Sequence, residues 1–312
     1  MKKEGAALAA TNKVNACIDR SVASTRPCAV GWPKKTVKRV ASGTVINLFF
    51  IVCCFLALLP ILYALSVSLD AKGSLLSSNF SFIPKEFTLA HYAKVFTDEP
   101  VILWFQNTML LTAATVILAM ATAVPAAYVF SRKRFAGRTA VLRVLLLLYS
   151  FPSILSMFAI YKLMSTLGLV NTHIGLIIIY AGTMSVFALL NMKGYFDAIP
   201  VEIEEAGRID GCSDLNIVTK IVLPLARPTL IVTGVMIVNF VWNEYIFSIN
   251  FLTGSDRMTL ASGLYSLQAT ETSGSWPVFA AASLVVSFPV LVIFFLSQKH
   301  MVSGLTSGGV KG

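Results

Sequence analysis

Long apolar runs separated by polar connections dominate the chain. Six of them reach the roughly 20 mostly apolar residues that a bilayer-spanning helix needs. The first contains Pro60 and the second Pro125, which a packed bundle tolerates because neighbouring helices satisfy the freed backbone groups. The pattern predicts an all-α membrane protein with six transmembrane helices, of which the fourth is the shortest: Val45–Leu69, Leu103–Phe130, Val144–Met164, Ile174–Leu190, Leu230–Phe251 and Val278–Leu296.

Composition and charge placement support a membrane protein with both termini in the cytoplasm. Charged residues make up 13% of the chain, against roughly 25% in a soluble domain. The net charge is +10 at pH 7. Twenty of the basic residues fall on the side that carries the termini and four on the other side, and basic residues concentrate in cytoplasmic loops. The excess charge is therefore topological, and no nucleic-acid partner is expected. The expected location is the cytoplasmic (inner) membrane.

Three regions are predicted. Residues 1–43 form a basic cytoplasmic arm, expected to be mostly disordered because it lacks a sustained apolar period. Residues 44–298 form the six-span domain, which includes a cytoplasmic loop at 193–228. Residues 299–312 form a cytoplasmic tail.

The loop at 193–228 carries the signals of an ordered surface element. Pro200 suits the first turn of a helix, and Glu202, Glu204 and Glu205 fall at the positive end of its dipole. Gly211 offers a helix stop. A second short helix is expected to start at a Ser213 or Asp214 cap, run through Val222 and end at Pro224. The prediction is a helix, a glycine turn and a second helix.

The same loop resembles the EAA signature of ABC importer permeases. The segment Glu205-Ala206-Gly207-Arg208-Ile209-Asp210-Gly211 is followed after nine residues by Ile221-Val222-Leu223-Pro224, and the spacing matches throughout. Gly207 replaces the second alanine and remains small, which leaves room for close approach of a partner. In that family the loop forms a coupling helix that docks into a cleft of the ATPase subunit. The alternative is a surface helix that only links two spans. The resemblance implies that the docking residues are Glu205, Ala206, Gly207, Asp210, Gly211, Ile221, Leu223 and Pro224.

Other segments resemble the carbohydrate branch of these permeases, and in particular the smaller subunit of maltose-type transporters. They are Trp242-Asn243-Glu244 and the C-terminal Gly304–Gly312. This resemblance implies import of a maltose-like or other oligosaccharide, and contact between the loop 253–277 and a solute-binding protein. It also implies that the tail enters the ATPase dimer interface, whereas composition alone would favour a frayed terminus. The tail residues concerned are Gly308, Gly309, Val310, Lys311 and Gly312.

A polar group is predicted within the fifth span. Glu244 is the only carboxylate inside a predicted span, and such a group usually faces a cavity or a partner. Asn239 and Asn243 lie four residues apart, on or near the same helix face. These three residues are candidates for the translocation path. A hydrogen bond between helices or between subunits explains them equally well.

The chain lacks the motifs of an enzyme. It contains no GxxxxGK[ST] phosphate-binding loop and no GxSxG elbow, and its three histidines share no metal-ligand spacing. The chain itself is therefore expected to hold no metal or cofactor, and ATP and Mg are expected on a separate ATPase. The family resemblance implies homodimeric ATPase subunits, a second related permease subunit, a solute-binding protein and a sugar substrate. The alternative is a stand-alone secondary transporter, which would usually show internal repeats, broken helices and coupling-ion groups near the midplane.

Overall fold

The structure is a computed structural model. It describes the backbone of residues 34–71, 82–269 and 276–309, and the side chains of residues 45–71, 82–268 and 276–299. Its helices are α1 Lys34–Leu69, α2 Ala90–Thr97, α3 Val101–Arg132, α4 Arg138–Ser150, α5 Ser153–Thr166, α6 His173–Ala198, α7 Val201–Ile209, α8 Asp214–Leu225, α9 Arg227–Asn243, α10 Ile246–Phe251, α11 Leu260–Ala269 and α12 Trp276–Gly309.

Four helical segments are long and apolar enough to cross a membrane. They are Val45–Leu69 of α1, the whole of α3 and α6, and Trp276–Lys299 of α12. Two bent pairs, α4 with α5 and α8 with α9, bring the number to six if each pair counts as one span. The all-α prediction is confirmed. Two of the six predicted spans are interrupted: Val144–Met164 at the α4–α5 bend, and Leu230–Phe251 at Glu244, beyond the α8–α9 bend.

The predicted span Val144–Met164 is not one continuous helix. Its axis turns by 98° between α4 and α5. Pro152 lacks a backbone N–H and disfavours the helical conformation at the residue before it. Phe151 accordingly adopts an extended conformation, with φ −75° and ψ 128°. The apolar run is long enough to cross a membrane, but Pro152 divides it.

The predicted span Leu230–Phe251 is also interrupted. Helix α9 ends at Asn243, and Glu244 is extended, with φ −76° and ψ 117°. The short helix α10 starts two residues later, at Ile246. The carboxylate of Glu244 accepts hydrogen bonds from the backbone N–H groups of Phe247 at 2.9 Å and Ser248 at 3.3 Å. These bonds satisfy N–H groups that a new helix start leaves free, so Glu244 caps the second segment.

The helices at the two ends of the chain extend beyond the predicted spans. Helix α1 starts at Lys34, inside the predicted arm 1–43, and α12 continues to Gly309. The tail, for which composition alone favours a frayed terminus, is thus helical through Gly308 and Gly309. Residues 1–33 and 310–312, the rest of the predicted arm and tail, lie outside the described residues.

The chain divides into two compact units, residues 1–60 and 61–312. The second unit is built around α3 and α6, its most extensively packed helix pair. Ala119, Ala123 and Ala127 of α3 are fully buried in this core. Small side chains at four-residue spacing let two helix backbones approach closely, which stabilises helix pairs in a bilayer. A second core surrounds Trp104 and Trp242.

Candidate functional site

The segment α7–Gly211–α8 forms a corner at the end of α3 and α6. Pro200 precedes α7, whose first turn carries acidic Glu202 and Glu204. Gly211 has φ +82°, a conformation that residues with a Cβ rarely adopt. The Ser213 side chain caps α8 by accepting a hydrogen bond from the Asn216 N–H. The predicted glycine turn and Ser213 cap are confirmed, so these residues fix the direction of both helices.

The second helix is longer than predicted. Helix α8 does not end at Pro224 but continues through Leu225, with a π-helical stretch at Ile217–Val222. The chain then bends by 74° into α9. Pro224 sits in a short α-helical turn that follows the π-helical stretch, and the Tyr195 hydroxyl donates a hydrogen bond to the Leu225 carbonyl at 3.0 Å. Helix α6 therefore holds the end of α8.

A buried ion pair anchors α7 to α3. The Arg132 Nε lies 2.6 Å from Oε1 of Glu204, and their side chains are 9% and 1% exposed. Tyr128 donates its hydroxyl hydrogen to Oε2 of Glu204 at 2.8 Å, and Arg132 donates to the Ile199 carbonyl at 2.9 Å. Both carboxylate oxygens are thus engaged, which offsets the cost of burying the charge. Sequence reasoning missed this pair because its members lie 72 residues apart, and helix periodicity relates only near neighbours.

The residues expected to dock an ATPase divide into two groups. Gly207 is buried, and a Cβ there would lie 2.8 Å from Cδ1 of Ile221. Its small size therefore accommodates the packing of α8 on α7 rather than an outside partner, which corrects the expectation for this residue. Ile221 and Leu223 are half-buried on the same inner side. The exposed group consists of Glu205, Ala206, Asp210, Gly211 and Pro224.

Two apolar side chains beside the glycine turn were not among the sequence candidates. Ile209 is 87% exposed and Leu215 is 73% exposed. The two residues flank Gly211, one near the end of α7 and one in the first turn of α8. Together with Ala206 they give the corner an apolar tip. The signal was present in the sequence, because each is an aliphatic residue within a polar loop.

The polar residues of the fifth span occupy different surroundings. Glu244 accepts a hydrogen bond from the Tyr180 hydroxyl of α6 as well as from α10. Its bonds are therefore those of a group that joins helices. Asn239 and Asn243 lie on an exposed face of α9, where Asn243 donates to the Asn239 carbonyl at 2.8 Å. Of these three residues, the two asparagines are the exposed ones, and their side chains bond to each other, Asn243 Nδ2 donating to Asn239 Oδ1 at 3.1 Å.

The first part of the loop 253–277 is firmly held. Trp104 Nε1 donates to the Ser255 carbonyl at 2.9 Å. Asn107 donates to the carbonyls of Asp256 and Met258, both at 2.9 Å. These bonds fix the loop backbone on α3 while the Ser255 and Asp256 side chains stay exposed. Residues 270–275 lie outside the described part.

Residues 122–306 match the family described as the binding-protein-dependent transport system inner membrane component. The chain belongs to this family. It is 34% identical over 269 residues to the galactooligosaccharides transport system permease protein GanQ of Bacillus subtilis (strain 168), covering 84% of this chain and 94% of that protein. It is 31% identical over 281 residues to the maltose/maltodextrin transport system permease protein MalG of Yersinia pestis, covering 84% and 92%.

The fold agrees with this membership. A crystal structure of a bacterial ABC transporter involved in the import of the acidic polysaccharide alginate includes a similar chain. The TM-score is 0.73 at 24% identity, covering 84% of this chain and 97% of that chain. By its family and its curated relatives the protein is an ABC importer permease, a transport subunit that works with a separate ATPase and is not itself an enzyme. The alternative of a stand-alone secondary transporter is wrong.

Proposed function

We propose that this permease imports a maltose-like or other oligosaccharide, as one of two related permease subunits that share a homodimeric ATPase and a solute-binding protein. The observation that carries the proposal is the exposed corner α7–Gly211–α8, which is held on α3 and α6 and whose sequence resembles the EAA signature. The sugar class is supported by the galactooligosaccharide and maltodextrin permeases that the chain resembles. ATP and Mg belong to the ATPase.

The tip of the corner is the proposed ATPase contact. Ala206, Ile209 and Leu215 supply exposed apolar surface, and Glu205 and Asp210 supply charges beside it. Interfaces of this kind gain most of their energy from a few desolvated anchors. Gly207 and Ile221 act indirectly, because they hold α8 against α7.

The docking proposal predicts that a charge at the tip separates the ATPase from the permease. Ile209→Asp should weaken association at least about tenfold, because losing an anchor costs on the order of 2 kcal/mol. The control is Leu167→Asp, which places the same charge at an exposed apolar position outside the corner. Co-elution of the complex and substrate-stimulated ATP hydrolysis are measured. Wild-type values for Ile209→Asp would refute the dock.

The substrate proposal is tested on the purified complex with its binding protein. Mass spectrometry of the ligand released by the binding protein should detect an oligosaccharide, which should also stimulate ATP hydrolysis. A released ligand without sugar rings would refute the carbohydrate assignment and leave the docking proposal intact.

The exposed asparagine face of α9 is the proposed polar lining of the translocation path. Asn239→Leu and Asn243→Leu together should lower sugar uptake while membrane insertion and ATPase association stay normal. The alternative contact with a second permease predicts loss of the complex instead. Glu244, which caps α10, is proposed to position this face rather than to touch the sugar, so Glu244→Gln should reduce uptake less than the double asparagine variant.

The orientation and the C-terminal tail have separate tests. In a cysteine-free background, Ser255→Cys should react with an impermeant reagent from outside, and Lys220→Cys only from the cytoplasmic side. The reverse pattern would refute cytoplasmic termini. Deletion of Gly308–Gly312 should change the ATPase rate of the assembled complex. Unchanged assembly, ATPase rate and uptake would rule out a role of the tail in the ATPase interface.

A further inference from the structure

A polar cavity of about 520 Å³ opens beside the corner α7–Gly211–α8. It lies where α3 ends and where α4 and α7 begin. Five basic residues line it: Arg132, Lys133, Arg134, Arg138 and Arg208. Two acidic residues, Glu204 and Asp214, also line it, which leaves a net charge of +3 on the lining side chains.

The ion pairs of the described residues do not neutralise the cavity. Glu204 is matched by Arg132 inside the fold. Asp214 is shared between Lys133 at 3.7 Å and Arg208 at 3.5 Å, on an exposed surface where such pairs contribute little.

Arg134 and Arg138 carry two of the three net positive charges and form no ion pair within the described part of the chain. The third remains because Lys133 and Arg208 share the single carboxylate of Asp214. Arg138 is near enough to Asp197 to act on it electrostatically. Asp197, however, already pairs with Lys193 at 2.5 Å and accepts a hydrogen bond from Ser131 at 2.7 Å. The two guanidinium groups therefore keep donors for an outside anion.

The place of the cavity narrows the chemistry of its ligand. Arg132 is the last residue of the candidate span Val101–Arg132, so the cavity adjoins the end of a span, where lipid headgroups can reach basic side chains. The preference for basic residues in cytoplasmic loops explains why basic residues follow this span. It does not explain why Arg134 and Arg138 line one cavity together with Arg208, which lies about 70 residues further along the chain. Basic pockets at span ends suit phosphate headgroups, and guanidinium groups bind phosphate in a bidentate manner.

We propose that this cavity binds a phosphate group, supplied by the headgroup of an anionic lipid, with Arg134 and Arg138 as its main ligands. Arg208 lines the same cavity from α7, so an anion bound there would lie against α7. The site is distinct from the proposed ATPase contact, because neither Ile209 nor Leu215 lines it.

The test uses the complete complex, purified in detergent and titrated calorimetrically with three probes. They are dioctanoyl phosphatidylglycerol, dioctanoyl phosphatidylcholine and glycerol 3-phosphate. The test variant is Arg134→Gln with Arg138→Gln. The control variant is Arg143→Gln with Lys220→Gln, which removes the same charge from two exposed positions that do not line the cavity.

The wild-type complex should bind phosphatidylglycerol at least about tenfold more tightly than phosphatidylcholine. The test variant should lose about 30-fold in affinity for phosphatidylglycerol, since each basic residue near an anionic headgroup contributes a factor of about 5. The control should stay within about threefold of wild type. If glycerol 3-phosphate binds as tightly as the lipid and is lost in the same variant, the phosphate site stands and its source is a soluble ester.

Two outcomes would overturn the proposal. One is equal binding of phosphatidylglycerol by the test and control variants. The other is release of the ATPase from the test variant with no saturable binding of any probe to the wild type, which would make the cavity a protein contact.

Discussion

The buried ion pair between Arg132 and Glu204 holds the corner α7–Gly211–α8 on α3, and its removal should have a measurable effect. Glu204→Leu leaves the guanidinium of Arg132 in a site where its side chain is 9% exposed, and it removes the acceptor of the Tyr128 hydroxyl. Breaking a buried pair on one side costs about 3–5 kcal/mol, because the remaining charge has no opposite charge beside it. Part of that cost will be relieved if α7 detaches from α3.

Removing the whole group should cost much less. The triple variant Tyr128→Phe, Arg132→Met and Glu204→Leu leaves neither a charge nor a hydroxyl without a partner. Replacing a complete buried pair with apolar residues is often neutral, although the Ile199 carbonyl loses one hydrogen bond, worth about 1 kcal/mol. We expect the triple variant to be about 2 kcal/mol more stable than Glu204→Leu alone.

Thermal unfolding of the purified complex is the assay, with substrate-stimulated ATP hydrolysis as the functional readout. Glu204→Leu should lower the midpoint by on the order of 5–10 °C, and the triple variant should recover most of that loss. Both should lose coupling between sugar and ATP hydrolysis, because neither retains the ionic link to α3. If the stability loss of the triple variant equals the sum of the losses of its three single variants, the side chains do not interact and the buried pair is refuted.

Two glycine substitutions test local geometry with matched controls. Gly211→Ala should destabilise the corner by about 1–2 kcal/mol because Gly211 has a positive φ. The control Gly194→Ala, in open space on α6, should be neutral or slightly stabilising. Uptake and thermal unfolding are compared for the two variants. Gly263→Ala would place a Cβ 2.2 Å from the Trp104 ring and should cost about 1–3 kcal/mol of stability, which faster proteolysis of the loop 253–277 would report. Its control Gly234→Ala, with no atom within 4 Å, should leave digestion unchanged.

Features written in local sequence were predictable. Apolar length located the spans, and the spacing of Gly211 and Ser213 located the corner, because turns and caps depend on near neighbours. The break at Pro152 also had a local signal, since proline disfavours a helical conformation at the preceding residue. The prediction overlooked it because the hydrophobic run alone was long enough for a span.

Features that depend on distant residues were not predictable in this way. Glu244 was recognised as unusual, but its role as a cap that also bonds Tyr180 requires α6 to lie beside the break. Glu204 looked like one of several dipole-compensating acids until the fold brought Arg132 to it. Gly207 was interpreted as space for a partner, whereas the fold fills that space with Ile221.

The two broken spans have different mechanical properties. At the α9–α10 break, the Glu244 carboxylate connects the end of α9 to α10 and to α6 by hydrogen bonds, so we expect these three segments to move together. At the α4–α5 break, α5 has no side-chain cap and Phe151 is exposed, so no side-chain hydrogen bond of the described residues caps the start of α5. If this subunit rearranges during transport, we expect the chain angle to change more readily at Phe151–Pro152 than at the α9–α10 break, because only the second break is held by side-chain hydrogen bonds.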